Sequence, residues 1–328
     1  MSLPDWARAF GAPLFVATIR TTPQDFQVTE ELGFEFTGDG EHDYLWVEKT
    51  GANTEWVARQ FARFADVPAK DVGYAGLKDR HAVTRQWFSV PRWNSPDWQT
   101  LEVEGVQVLE VQRHSRKLRR GAHKSNRFHI VLRGDDLHGH AEAIEKRVQA
   151  IREQGVPNYF GEQRFGREGN NISLADAWAS GKRLPRHKRS IAISTARSFM
   201  FNNYLDTRVR DGTWNTILPG DKANLDGTGS VFDVEDVDEE IERRCAEMDI
   251  HPAGELAGDG STGTNDDWIA ALGKARVEPG TRSLRLRVAD LSCNIVEDVI
   301  EFSFTLGRGA FATAVLRELA STSATGGR

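Results

Sequence analysis

Cysteine is scarce in this sequence: only Cys245 and Cys293 occur. Two isolated thiols make neither a C-x-x-C pair nor a disulfide framework. Long apolar runs are missing too. No stretch approaches the roughly 18 apolar residues of a transmembrane helix. The opening MSLPDWARAFGAPLFVATIR has an early acid and no apolar leader core, so no signal peptide is expected. A reducing cytoplasm, with no membrane partner, fits these absences. Cofactor signatures are also lacking. Gly73-x-x-Gly76-x-Lys78 does not have phosphate-loop spacing, and Asp79 stands where a magnesium-binding Ser or Thr should be. No G-x-G-x-x-G follows a strand-like run, no G-x-S-x-G elbow appears, and GDGSTGTNDD lacks calcium-loop spacing. His138-Gly139-His140 has no second cluster at ligand spacing and reads as loop histidines. The expectation is a chain without nucleotide cofactor or metal.

What is present is a globular composition. The 328 residues are 39% apolar and 27% charged, enough for two domains of ordinary size. The net charge of −6 argues, by itself, against a polyanionic partner. Its distribution argues the other way. Residues 111–133 hold eight Lys or Arg, three His and no acid, and residues 182–197 hold six more Lys or Arg and no acid. The acids gather elsewhere, with seven of them in the ten residues 233–242. Segregated charge lets an acidic chain present a basic face to nucleic acid. Each run read alone serves equally well as a solvated loop.

Strand-like patterns occur at 25–32, 43–50, 86–90, 101–111 (with a kink or break at Gly105) and 127–134. Residues 53–68 read as a helix capped by Asn53 or Thr54 and stopped by Pro68, with Val57, Phe61 and Phe64 inward. Residues 141–155 read as a helix with Ile144, Val148 and Ile151 inward. After Pro157 the texture turns to glycine, aromatics and amides. Strand patterns return in RSLRLRVADL and VIEFSFTL, GAFATAVLREL reads as a closing helix, and the tail STSATGGR is expected to fray. The expected fold is mixed α/β. One core is built from 1–151 and 285–328, and a second domain is inserted over 152–284. No partner-facing apolar stripe stands out, and a monomer is expected.

Within GYAGLKDRHAVTRQWFSV (73–90), Asp79 lies between Lys78 and Arg80, ahead of an apolar run. Lys-Asp-Arg is ordinary surface vocabulary, and a solvated turn aspartate is its plain reading. Three features favour chemistry. The glycines let the backbone bend or approach a ligand closely. Flanking cations hold a partly buried carboxylate ionised. Thr84, Arg85 and Gln86 add polar groups before the strand. An ionised carboxylate so placed can act as nucleophile or base.

This stretch resembles the signature of the tRNA pseudouridine synthase D (TruD) family. DFQVTEELGFEFTGDGEH, NTEWVARQFARFA, PNYFGEQRFGREGNN, ARSFMFNNYLDTRV, HPAGELAG and GRGAFATAVLREL are similar to further family blocks, in family order, over about residues 19–319. The resemblance implies a pseudouridine-synthase core with a mixed or antiparallel sheet and an inserted TRUD domain. It implies isomerisation of uridine to pseudouridine in tRNA, typically at position 13, without cofactor or metal. Non-catalytic tRNA binding on the same fold is the alternative, and another RNA modification such as methylation is a second.

The resemblance places the catalytic aspartate at Asp79. Attack on C1′, proton removal at C2′ and addition to uracil C6 all remain open as its role. Phe26 and Phe311 match aromatic residues that contact the substrate, and Asn126 an amide that meets the base; on pattern alone the two phenylalanines fit plain core and the asparagine a turn. A base taken out of its stack needs such a π-face and such an amide. Arg20 stands where the family often has lysine. With Lys78, Arg80 and Gln86 it is assigned a supporting role. Arg116, Lys117, Arg119, Arg120 and Lys124 in the first basic run, and Arg186, Lys188 and Arg189 in the second, are expected to line an RNA groove. NYFGEQRFG reads as a hinge opening the inserted domain, or as a loop in which Asn158, Gln163 and Arg164 reach phosphate.

Overall fold

The computed structural model describes residues 3–135 and 137–324. The chain divides into two compact units. One gathers Met1–Pro13, Gln149–Arg287 and Ala310–Leu319; the other gathers Leu14–Val148, Val288–Gly309 and Ala320–Arg328.

The unit carrying Asp79 is built on a ten-stranded sheet. Seven strands lie in the order Ala289–Val296, Val299–Gly307, His123–Arg133, Phe26–Leu32, Val83–Pro91, His42–Thr50 and Val106–His114. Neighbours are antiparallel except for Phe26–Leu32 against Val83–Pro91, which is parallel. The inward phase of Phe26–Leu32 carries Phe26, Val28 and Glu30, all buried. Their partners are Ile130, Phe128 and Asn126. Residues directly opposite in a ladder share a face. The register therefore puts Phe26, Phe128, Glu30 and Asn126 on one side of the sheet.

The helix Thr54–Phe64 buries Val57, Ala58 and Phe61 against Leu45, Val47, Phe88 and Val90. Its Phe61 ring meets Phe88 and Trp98 edge-on, with centroids 5.1 and 5.8 Å away. The short strand Gly73–Tyr74 pairs with Ser89 and Phe88 of Val83–Pro91. Residues 75–82 are thus the connection of a hairpin, and they carry Asp79. Gly73 is there for closeness rather than for a bend. A Cβ on it would collide with the Leu118 carbonyl oxygen and the Ser89 hydroxyl. Gly105 takes a left-handed φ of 69° and leaves the strand to begin after it, at Val106.

One sequence expectation needs correction and one is made finer. The tail does not fray where it is described: Ala320–Ala324 pairs in parallel with Phe15–Ile19, so backbone hydrogen bonds order it. Residues 325–328 lie outside the described residues. RSLRLRVADL is not one strand. Gly280–Ser283 joins one sheet and Arg285–Leu286 another, while Ala289–Val296 starts a third pairing. Leu284, Leu286 and Val288 are buried, and so is Arg285 between them, so the apolar positions stay inward while the partner strand changes.

The other unit packs the helices Asn170–Ala179, Arg186–Arg210 and Asp266–Lys274 around an aromatic core that includes Trp6, Tyr159, Phe165 and Trp268. Its sheet runs Val231–Asp233, Lys222–Leu225, Ile250–Leu256, Gly280–Ser283, all antiparallel. The acidic run 233–242 is partly helical. Asp238 caps Glu239–Ala246 by accepting the Ile241 N–H. The helix Ala312–Leu319 is fastened by the buried Glu318, which accepts the N–H groups of Ala9 at 2.9 Å and Phe10 at 3.3 Å. Among the described residues, no helix is long and apolar enough to cross a membrane.

Phe61→Ala removes a fully buried ring that joins helix to sheet. It should lower the unfolding free energy by about 3–5 kcal/mol, read as a shifted midpoint in urea denaturation.

Candidate active site

Asp79 sits near the middle of the 75–82 connection, and its side chain is 29% exposed. One carboxylate oxygen, Oδ2, is 2.6 Å from an Arg20 guanidinium nitrogen. The other, Oδ1, accepts the His81 N–H at 3.0 Å. Arg20 follows the strand Phe15–Ile19 and has φ of 58°, a region costly for any residue with a Cβ. Its guanidinium carbon lies 4.2 Å from the Phe26 ring centroid. One guanidinium thus covers an aromatic face and holds the carboxylate. Arg20, Phe26 and Asp79 form a single cluster. Phe26 is only 4% exposed, and its ring stands edge-on to Phe128 at 6.3 Å.

The two cations beside Asp79 in sequence do not pair with it. Lys78 Nζ lies 2.6 Å from Glu30 Oε2, with both side chains almost fully buried. Glu30 Oε1 also accepts the Trp87 N–H. Arg80 is exposed and turns to the Gly51 carbonyl at 2.9 Å. Gln86 is fully buried and acts on the loop. It accepts from Thr54 Oγ1 and donates to the Gly76 carbonyl. Thr54 Oγ1 accepts the Lys78 N–H at 3.0 Å.

Asn126 lies across the ladder from Glu30, and its Oδ1 is buried with no hydrogen-bond partner among the described residues. An unsatisfied amide oxygen on this face is available to a donor. His123, at the start of the same strand, was not anticipated. Burial, with Lys78 and Arg308 nearby, pushes its imidazole down to about 4, so it is neutral at pH 7. Glu30 and Lys49 were also missed. Each is a charged side chain at an inward strand position, which is the one signal the sequence offered for them.

Phe311 belongs to the other unit. It is half-buried beside Phe160, with ring centroids 6.0 Å apart, and the guanidiniums of Arg164 and Arg282 each lie 5.9 Å from its ring. Arg116, Lys117, Arg119 and Arg120 fall on the turn between Val106–His114 and His123–Arg133, and Lys124 lies at the start of the latter strand. Lys117, Arg119 and Arg120, with Lys70, line a groove of about 430 Å³ that has no acid on its walls. Arg120 also stacks on Tyr74, 3.6 Å from the ring. Arg186, Lys188 and Arg189 are exposed in the first turn of Arg186–Arg210. His138 and His140 lie in a short 3-10 turn. Among the described residues, no three His, Cys, Asp or Glu side chains are grouped to hold a metal.

The family model described as tRNA pseudouridine synthase D (TruD) matches residues 10–175 and 171–319. The chain belongs to that family. A Methylococcus capsulatus protein named tRNA pseudouridine synthase D is 46% identical, over 96% of this chain and 94% of its own length. One of the same name from Hydrogenovibrio crunogenus is 40% identical, over 97% of each. A crystal structure from Methanosarcina mazei, bearing the name tRNA pseudouridine synthase D, superposes with a TM-score of 0.73 over 97% of this chain and 98% of that one. At 17% identity it speaks to the fold alone. The mixed α/β architecture expected from the sequence is therefore that of the TruD fold.

Glu30→Gln would leave the Lys78 ammonium buried without its counter-charge. Breaking a buried pair from one side typically costs about 3–5 kcal/mol. The variant should unfold at lower temperature than wild type, and the double substitution Glu30→Gln/Lys78→Met should recover part of the loss in the same melt.

Proposed function

We propose that this TruD-family chain isomerises uridine to pseudouridine in tRNA, at position 13, with Asp79 as its catalytic residue. The observation that carries the reading is the Asp79 carboxylate itself. It is partly exposed, ion-paired to Arg20, and next to an aromatic ring that the same guanidinium covers. The names of the relatives favour turnover over binding alone.

The reaction breaks the bond from uracil N1 to ribose C1′ and rejoins the base through C5, which gives up its proton while N1 gains one. A carboxylate held ionised can serve it by attacking C1′, by taking the C2′ proton, or by adding to uracil C6. Each route needs the nucleotide out of its stack and within contact of Asp79. Arg20 holds the carboxylate in its reactive form and orientation. The guanidinium keeps the charge of the lysine common at this place and adds a flat face for Phe26, which an ammonium lacks. Asn126 offers an amide to the uracil edge and Phe311 a ring face, while Phe26, buried and covered by the guanidinium, backs Arg20. Lys78, Arg80 and Gln86 shape the loop through main-chain and buried contacts. In this reading 152–284 is the inserted domain, and the cations at 116–124 and 186–189 meet tRNA phosphates.

Asp79→Asn should abolish pseudouridine formation on a tRNA transcript and leave tRNA binding largely intact. Full activity in that variant would remove Asp79 from the chemistry. tRNA affinity should fall steeply between ~50 and ~200 mM salt, because phosphate contacts release counterions. An affinity that hardly changes over that range would take the basic clusters out of the RNA interface.

A further inference from the structure

Lys49 is buried to 0% exposure in the strand His42–Thr50, in phase with the core residues Leu45 and Val47. A lysine in that position is expensive. Among the described residues it makes no ion pair. Its Nζ instead faces three main-chain carbonyl oxygens: Ala52 at 2.9 Å, Asp79 at 2.9 Å and Lys78 at 3.5 Å. Two of these belong to the connection that carries the reacting carboxylate. The third begins the segment leading into the helix Thr54–Phe64.

An ammonium has three N–H donors and no acceptor. Three converging carbonyls match it, donor for acceptor. A neutral amine would bring two donors and direct a lone pair at the third oxygen. A methionine would bring no donor and leave buried carbonyls unsatisfied. The site therefore specifies the charged form, against the cost of burying it.

We propose that Lys49 is a positioning residue for catalysis: its ammonium clamps the main chain at residues 78 and 79 and supplies a fixed positive charge beneath the Asp79 carboxylate. This rests on the function proposed above. Nothing about Lys49 touches substrate; it acts through the loop.

The charged groups facing Lys49 are few. Asp79 favours the ammonium, while Lys78 opposes it and is itself neutralised by Glu30. Asp79 in turn is engaged by Arg20. Burial dominates and lowers the Lys49 pKa to about 8. The clamp is thus mostly charged at neutral pH and weakens in mild alkali. The effect on stability has the opposite sign. Between about pH 8 and the ordinary lysine value of 10.5, the folded chain has lost this proton while the unfolded chain keeps it. Folding stability from this group therefore rises with pH as kcat falls.

The test compares wild type, Lys49→Met and Lys49→Arg for pseudouridine formation and tRNA binding across neutral and alkaline pH. Near neutral pH, Lys49→Met should lose about 10–100-fold in kcat, the scale of a displaced catalytic group, with tRNA affinity little changed. Wild-type kcat should fall through an alkaline limb near pH 8 while its melting temperature gains relative to Lys49→Met. That limb should be absent from Lys49→Met and from Lys49→Arg, whose guanidinium stays charged. Ionisation of uracil is common to all three enzymes and cancels in the ratios. A folded Lys49→Met with kcat close to wild type overturns the proposal. So does the same alkaline limb in wild type and variants. If Lys49→Met does not fold, Lys49→Arg decides, since a limb retained near pH 8 in that variant excludes Lys49 as its source. A wild type without turnover on any tRNA sinks the function reading together with this one. An active wild type whose profile the substitutions leave unmoved sinks this one alone.

Discussion

The position of the Asp79 carboxylate depends on how the backbone beneath it is fastened. Residues 75–82 leave one strand and enter another without regular structure of their own. What fixes them is a set of side chains rooted in neighbouring elements. Lys49 reaches up from the strand His42–Thr50, Thr54 from the first turn of its helix, and Gln86 from the strand Val83–Pro91. A reciprocal pair of bonds, Gly51 N–H to the Arg80 carbonyl and Arg80 Nε to the Gly51 carbonyl, closes the far end. These anchors act on main-chain atoms, so the loop sequence can spend its side chains elsewhere. Leu77 uses that freedom and is 64% exposed. A carboxylate on such a loop has the precision of the sheet rather than of a free turn.

The same fastening explains how four nearby cations differ. Read along the chain, Lys78 and Arg80 bracket Asp79 and look like its counter-charges. In space Lys78 is consumed by Glu30, and Arg80 spends its Nε donor on a carbonyl. The field on Asp79 comes from Arg20, by direct contact, and from Lys49, through the backbone. Burying Glu30 with Lys78 lets a second ammonium be buried close by without a net repulsive cluster. The Glu30 counter-charge on Lys78 thus lessens the repulsion that the Lys49 ammonium meets. The left-handed backbone of Arg20 belongs to the same economy. It is the one conformational cost visible at the site, and it brings a single guanidinium to both a ring and a carboxylate.

Much of this fold was legible in the sequence because burial imposes periods. Of the inward sets, Val57 and Phe61, and Ile144, Val148 and Ile151, are buried as their spacing required, with Phe64 partly buried against the same cluster. Asp79 stood out by its glycine-flanked context, although Gly73 turned out to serve packing. What escaped was whatever broke a period or lay outside one. Glu30 and Lys49 occupy apolar phases of their strands, and a polar residue there reads as noise until its partner is known. Those partners lie far along the chain, at Lys78 and at the carbonyls of residues 78 and 79. The ordering of 320–324 by Phe15–Ile19 was likewise invisible, since parallel pairing of two chain ends leaves no local signal. A break in strand periodicity by a charge is therefore a lead rather than a flaw.

The NYFGEQRFG stretch shows why a structural and a functional reading of one motif need not compete. A Cβ on Gly161 would sit 2.6 Å from Thr313 Oγ1, so glycine lets this turn lie against the helix Ala312–Leu319 without displacing that hydroxyl. Phe311 immediately precedes that helix. Phe160 packs against its ring, and Arg164 and Arg282 lie over both. Burial, aided by the neighbouring Arg164, pulls the Arg282 guanidinium down to about 9. Two desolvated cations are therefore stacked on the aromatic pair that includes Phe311. The turn lies against the helix that Phe311 leads into, and its Phe160 packs on the Phe311 ring. A residue that serves packing in that turn therefore bears on the surroundings of the Phe311 ring, and two sequence blocks remote in the chain meet at one place.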